Sequence, residues 1–272
     1  MLASLLLSLR EGLEAALIIG ILLGALKKIQ RKDLASTVWW GAASAAALSL
    51  LVAVVLTSAG AAFRGKAEAI FEGVTMLLAA GVLTWMIFWM ARQARNLQGE
   101  LEADVRVAAS QTSRMPLFGI AFLAVVREGI ELALFLTAAT FASDAMQTLS
   151  GAVLGLGIAA LLGWGLFTAT VRLDLRRFFQ VTGLLLLVFA AGLVAHGVHE
   201  FNEVGWIPAI IEHVWDINHI LNEKSTLGEI LKALFGYNGN PSLTEVLAYL
   251  GYFLAIGLGL RTQKRKSVVA TT

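Results

Sequence analysis

Apolar residues fall into seven long runs, roughly 2–26, 36–60, 68–91, 116–141, 149–171, 178–200 and 243–260. Charged residues gather in the stretches between them. A helix of about 20 apolar residues crosses about 30 Å of hydrocarbon, and each run is near or above that length. The pattern predicts an all-α polytopic membrane protein with seven transmembrane helices. The first run holds Arg10, Glu11 and Glu14 and has no basic leader, which separates it from a signal peptide. Residues 92–114 read as a charged, partly helical connection. Residues 201–242 are the only large segment between later runs. Pro116, Pro208 and Pro241 sit at run edges or in a loop, so none breaks a helix.

Composition agrees with that pattern. Of 272 residues, 58% are hydrophobic and 15% charged, and the mean hydropathy is +0.76. Soluble domains carry about 25% charged residues, so a soluble globule is excluded. The chain has no cysteine, which removes disulfides, thiolate metal sites and cysteine nucleophiles. A net charge of +2 leaves no nucleic-acid footprint.

Orientation follows from the cations in the connections. Fifteen Lys and Arg lie in the 1–2, 3–4 and 5–6 connections and the C-terminal tail, among them Lys27, Arg31, Arg95, Arg114, Arg172 and Lys264. Four lie on the other side: Arg64, Lys66, Lys224 and Lys232. The imbalance predicts an outside N-terminus and a cytoplasmic C-terminus, in the cytoplasmic (inner) membrane. Trp85 and Trp89 suit the inner interfacial belt.

The sequence repeats. Leu9-Arg10-Glu11-Gly12-Leu13-Glu14 is matched 117 residues later by Val126-Arg127-Glu128-Gly129-Ile130-Glu131. Leu78-Ala79-Ala80-Gly81 has a fainter echo in Phe189-Ala190-Ala191-Gly192. Runs 1–3 and 4–6 therefore read as two copies, inverted because each has three spans, with run 7 appended. Inverted repeats around a midplane site recur in transporters. The chain divides into 1–111, the first repeat with its cytoplasmic connection; 112–200, the second repeat; 201–242, an external segment; and 243–272, the seventh helix and basic tail.

Both motifs fall near mid-membrane at 1.5 Å per residue. At about 100° per residue, Arg10, Glu11 and Glu14 share one side of their helix, and Arg127, Glu128 and Glu131 share one side of theirs. Gly12 and Gly129 point away and allow close helix contact. A charge at a helix centre costs about 2.5–3.5 kcal/mol on insertion scales, so six facing lipid would cost about 15–20 kcal/mol. They must face one another or a polar path. Two arginines against four glutamates leave a formal −2, which a structural ion-pair network does not need and a cation site does. Carboxylates are hard ligands, so iron, manganese, calcium and magnesium are all chemically open. Calcium usually adds loop carbonyls, and none is evident. Met86 and Met90 read as packing residues.

Further acids and histidines could form a mouth or accessory site. Glu72 lies early in run 3. His196, His199 and Glu200 close run 6, either as an outer metal station or as an interfacial cluster. Glu212, Asp216, His219 and Glu223 have the spacing of one face of an external helix, either solvated or collecting cations.

The two Arg-Glu-Gly-Leu/Ile-Glu motifs, with seven spans, resemble the high-affinity, oxidase-dependent iron permease family, most closely its bacterial EfeU-type ferrous iron branch. Phe71-Glu72-Gly73, Leu83-Thr84-Trp85-Met86, His199-Glu200 and Phe235-Gly236-Tyr237 add to the likeness, which covers most of the chain. The resemblance implies an iron uptake permease rather than an enzyme. It implies that Glu11, Glu14, Glu128 and Glu131 bind the metal beside Arg10 and Arg127, with iron as transported substrate and no permanent cofactor. It further implies a separate external oxidase, peroxidase or iron-binding protein as partner, the lipid bilayer as surroundings and no nucleic acid. A transporter of another divalent heavy metal and a membrane-bound carboxylate metalloenzyme are the competing readings.

Overall fold

The computed structural model describes residues 1–93, 97–168, 174–223 and 225–269. Among these residues it is all helical. Seven long helices are present: α1 (Leu2–Lys28), α2 (Ala35–Ala62), α3 (Lys66–Gln93), α5 (Met115–Ala142), α6 (Ala145–Phe167), α7 (Leu175–Glu203) and α9 (Leu243–Val269). Two shorter ones, α4 (Leu97–Ser110) and α8 (Thr226–Phe235), lie in the connections. The long helices match the seven apolar runs. Four stretches are long and apolar enough to cross a membrane: Lys32–Ala62, Lys66–Met90, Ala145–Phe167 and Arg177–Glu203. Helices α1 and α5 are as long, but each has three charged residues at its middle. The apolar part of α9, Leu243–Gly259, is shorter. The protein is a multi-pass membrane protein, and large apolar side chains such as Leu50, Val54, Leu161 and Leu254 cover its outer surface.

Polar side chains start several helices. Asp144 accepts the Gln147 amide at the head of α6, and Asp174 accepts the Arg177 amide at the head of α7. At α9, Ser242 and Glu245 form a capping box, with the Ser242 amide on Glu245 at 3.1 Å and the Glu245 amide on Ser242 at 3.3 Å.

The helices pair closely through small residues. Helix α1 runs along α6 and α2 along α5, each pair parallel, while α3 and α7 are antiparallel. A Cβ added to Gly41 of α2 would lie 2.8 Å from the Phe118 carbonyl, 2.9 Å from Ala121 and 3.1 Å from the Phe122 amide of α5. A Cβ on Gly151 of α6 would meet the Met1 carbonyl, Ser4 and the Leu5 amide of α1. Each α5 partner is 117 residues beyond its α1 counterpart. The motif glycines repeat the relation: Gly12 abuts Ala159, and Gly129 abuts Ser49. Any side chain at these positions would push the helices apart.

A core of Leu7, Met76, Leu83, Met86, Phe135, Leu186 and Phe189 joins α1, α3, α5 and α7. Thus Met86 packs, as its sequence context suggests. Helix α4 presents Val105, Ala108 and Ala109 to Leu22, Leu26 and Leu117. Its polar side is tied by Lys28 to Glu102 at 3.3 Å, so the 92–114 connection is partly helical as expected.

One expectation fails. Glu212, Asp216, His219 and Glu223 do not share a helix face, because residues 204–225 contain no helix among those described. Their backbone finds other partners. The amides of Val214 and Ile217 donate to Pro241 and Gly239, and the Leu243 amide donates to Ile211. Amides donated to a distant part of the chain are not available for i to i−4 bonds, and among the described residues the segment closes only a single such turn within itself, from the Leu221 amide to Ile217. Pro208 and the left-handed Gly205, φ +77°, also oppose a helix here. Arg95, Arg172 and Lys224, counted for orientation, lie outside the described residues, as does the predicted end of run 5.

Candidate metal centre

Helices α1 and α5 cross in opposite directions at their middles. On their far sides α1 rests on α6 through Gly12 and α5 rests on α2 through Gly129. That leaves the opposite, charged side of each motif turned inward. One carboxylate oxygen from each of Glu11, Glu128 and Glu131 lies within 4.8 Å of the others. All three residues are buried. Two oxygens bound to one ion at about 2–2.6 Å can lie up to about 4–5.2 Å apart, so the three fit a single cation.

Their hydrogen bonding points the same way. Both oxygens of Glu11, Oε1 of Glu14, Oε2 of Glu128 and Oε2 of Glu131 are buried without a hydrogen-bond partner. Leaving a buried carboxylate unsatisfied is costly, and a bound cation removes that cost. Glu14 is set apart from the three. Its Oε1 is 3.3 Å from Arg10 Nε, an i,i+4 pair on α1. Arg10 also has Nη1 3.6 Å from Glu11 Oε1 and Nη2 3.1 Å from the Met90 sulfur. It is among the largest fully buried side chains.

Arg127, the counterpart on α5, is held differently. Its Nε donates to Glu131 Oε1 at 3.1 Å. Its Cζ lies 4.2 Å from the centroid of Trp89 and 5.8 Å from that of Trp85. Met90 and Trp89 are therefore partners of the two motif arginines. Sequence reading gave them other roles, packing for Met90 and an interfacial belt for Trp89. Their adjacency near the end of α3 was the available signal.

At the other end of α3 and α7, a cavity of about 370 Å³ is lined by Glu68, Glu72, Glu200, Glu203 and Lys66, among others. Two predicted residues, Glu72 and Glu200, meet there. Glu68 and Glu203 were missed, although each lies one helical turn from a residue already singled out. His199 lies nearby, with Nδ1 3.0 Å from Glu245 Oε1 and Nε2 3.5 Å from Glu203 Oε1. His196 does not join them: its ring is turned to the Gly192 carbonyl at 3.0 Å. Glu212, Asp216 and His219 are exposed and stand outside this cavity.

The profile of the iron permease FTR1 family matches residues 1–269. The chain is 36% identical over 251 residues to a ferrous iron permease EfeU of Escherichia coli O6:K15:H31 (strain 536 / UPEC), covering 92% of this chain and 91% of that protein. It is 34% identical to a ferrous iron permease EfeU of Yersinia pestis, covering 92% and 89%. A putative inactive ferrous iron permease EfeU of Escherichia coli (strain K12) is 36% identical over the same length. No solved structure matches the chain.

Proposed function

The chain belongs to the iron permease FTR1 family, and we propose that it moves iron inward across the cytoplasmic membrane through a site shared by α1 and α5. As a permease it is a transporter and not an enzyme. The observation that carries the reading is the trio of buried carboxylates from two helices, each with at least one oxygen lacking a hydrogen-bond partner and close enough for one ion. Glu11, Glu128 and Glu131 supply the oxygens. Glu14 completes the charge balance through Arg10. Four glutamates and two arginines sum to −2, which a divalent ion neutralises, so the count favours ferrous over ferric iron.

Seven spans with the N-terminus outside put the cation-rich connections in the cytoplasm. In this reading 1–111 and 112–200 are inverted copies, followed by the external segment 201–242 and the seventh span with its tail, 243–272. The reciprocal packing of α1 on α6 and α5 on α2, with partners offset by 117 residues, supports a pseudo-two-fold axis in the membrane plane. Alternating access then tilts one copy against the other around a fixed site. Glu72 and Glu200 belong to the outer mouth, where His199 helps capture the ion. A separate external oxidase, peroxidase or iron-binding protein delivers it.

The test is radioiron uptake by purified protein in proteoliposomes, with iron held ferrous in one arm and ferric in the other. Uptake that manganese and lead compete poorly, and that Glu131→Gln removes, is the expected result. Equal uptake by wild type and Glu131→Gln would overturn the site.

A further inference from the structure

Arg10 and Arg127 occupy equivalent motif positions but not equivalent surroundings. Arg10 reaches two carboxylates and a thioether sulfur. Arg127 reaches one oxygen, Glu131 Oε1, and has its guanidinium carbon over an indole. The Trp85 ring lies beside Trp89, with centroids 6.1 Å apart and planes 23° from parallel, and its own centroid is 5.8 Å from Arg127 Cζ, so the guanidinium faces both rings, Trp89 more closely.

That contact has a consequence for Glu131. Arginine favours a bidentate grip that takes both oxygens of a carboxylate. Here the guanidinium carbon lies over Trp89 at 4.2 Å, and its Nε is the donor that meets Glu131. Glu131 Oε2 is left buried and without a hydrogen-bond partner. Glu131 also supplies an oxygen to the cluster with Glu11 and Glu128.

We infer that Trp89 is a positioning residue for the metal site: it holds Arg127 by its π face so that the arginine grips Glu131 through one oxygen and leaves the other to the ion. Trp85 adds a second, more distant ring face to the same guanidinium. The inference rests on the proposed α1–α5 site and adds to it a residue that touches no metal. An attraction between a cation and an aromatic face depends on the ring quadrupole, not only on its shape. Fluorine on the indole weakens the quadrupole and barely changes the volume.

The experiment places tryptophan, monofluoro-, difluoro- and trifluorotryptophan at position 89 by suppression of a stop codon. Radioiron uptake is then measured in the redox state that the wild-type protein carries. KM is expected to rise in steps with fluorination, to about five- to tenfold at the last step, with maximal rate and protein yield unchanged. Trp89→Phe should fall within the series. A merely structural ring would give a flat series, because all four indoles fill the same space. A flat series while Glu131→Gln abolishes uptake overturns the role of Trp89 and leaves the metal site standing. A flat series with uptake intact in Glu131→Gln overturns the site and this inference together.

Discussion

Glu11 and Glu128 are 117 residues apart in sequence, and they present carboxylate oxygens within 4.8 Å of each other at the crossing of α1 and α5. Two buried like charges at that distance repel strongly unless a cation or a proton lies between them. The pair therefore suits the proposed ion site in chemistry as well as in shape.

The first prediction separates the four motif glutamates. Glu11→Gln, Glu128→Gln and Glu131→Gln each remove a direct oxygen and should cut iron uptake at least about tenfold, the size of one lost charged hydrogen-bonding partner. Glu14→Gln should be milder, because Glu14 acts through Arg10. Radioiron uptake per inserted protein ranks the four, and a Glu14 variant as dead as the others would place Glu14 in the ligand set.

Arg10→Lys should be impaired, since one ammonium cannot serve Glu11, Glu14 and the Met90 sulfur from the planar geometry of a guanidinium. Arg10→Leu should be worse in another way. It leaves two buried carboxylates uncompensated, at about 3–5 kcal/mol, and should lower thermal stability in detergent. Wild-type uptake and melting in both variants would refute this role.

The outer cavity should matter for capture rather than for turnover. Glu72→Gln with Glu200→Gln is expected to raise KM for iron several-fold at low ionic strength and to lower maximal rate little, since charged mouths act on encounter. The effect should shrink in salt. A fall in maximal rate at constant KM would contradict it.

Topology can be read directly because the chain has no cysteine. Lys32→Cys, in the α1–α2 turn, should react with a membrane-impermeant maleimide only from the cytoplasmic side. Met146→Cys, at the exposed start of α6, should react only from outside. The reverse pattern would invert the protein.

The long helices were legible from the sequence because a span needs only length and apolarity, both local properties. The motif carboxylates were legible because six charges in the middle of apolar helices have few physical uses. What stayed hidden depends on the third dimension. The helical spacing of Glu212, Asp216 and His219 gave no sign that Val214 and Ile217 bond to Pro241 and Gly239. Nor did two like motifs disclose that Arg10 would be fully enclosed beside Met90 while Arg127 lies on Trp89. That difference comes from α3, which passes both arginines but carries unlike residues at adjacent positions.

The most direct test of the account is the position of the ion itself. Crystals or cryogenic specimens loaded with iron, with anomalous scattering recorded at the iron edge, would locate it. The account predicts one peak at the α1–α5 crossing, within about 2–2.6 Å of oxygens from Glu11, Glu128 and Glu131, and its loss in Glu128→Gln. A peak elsewhere in the membrane, with the crossing empty, would contradict it.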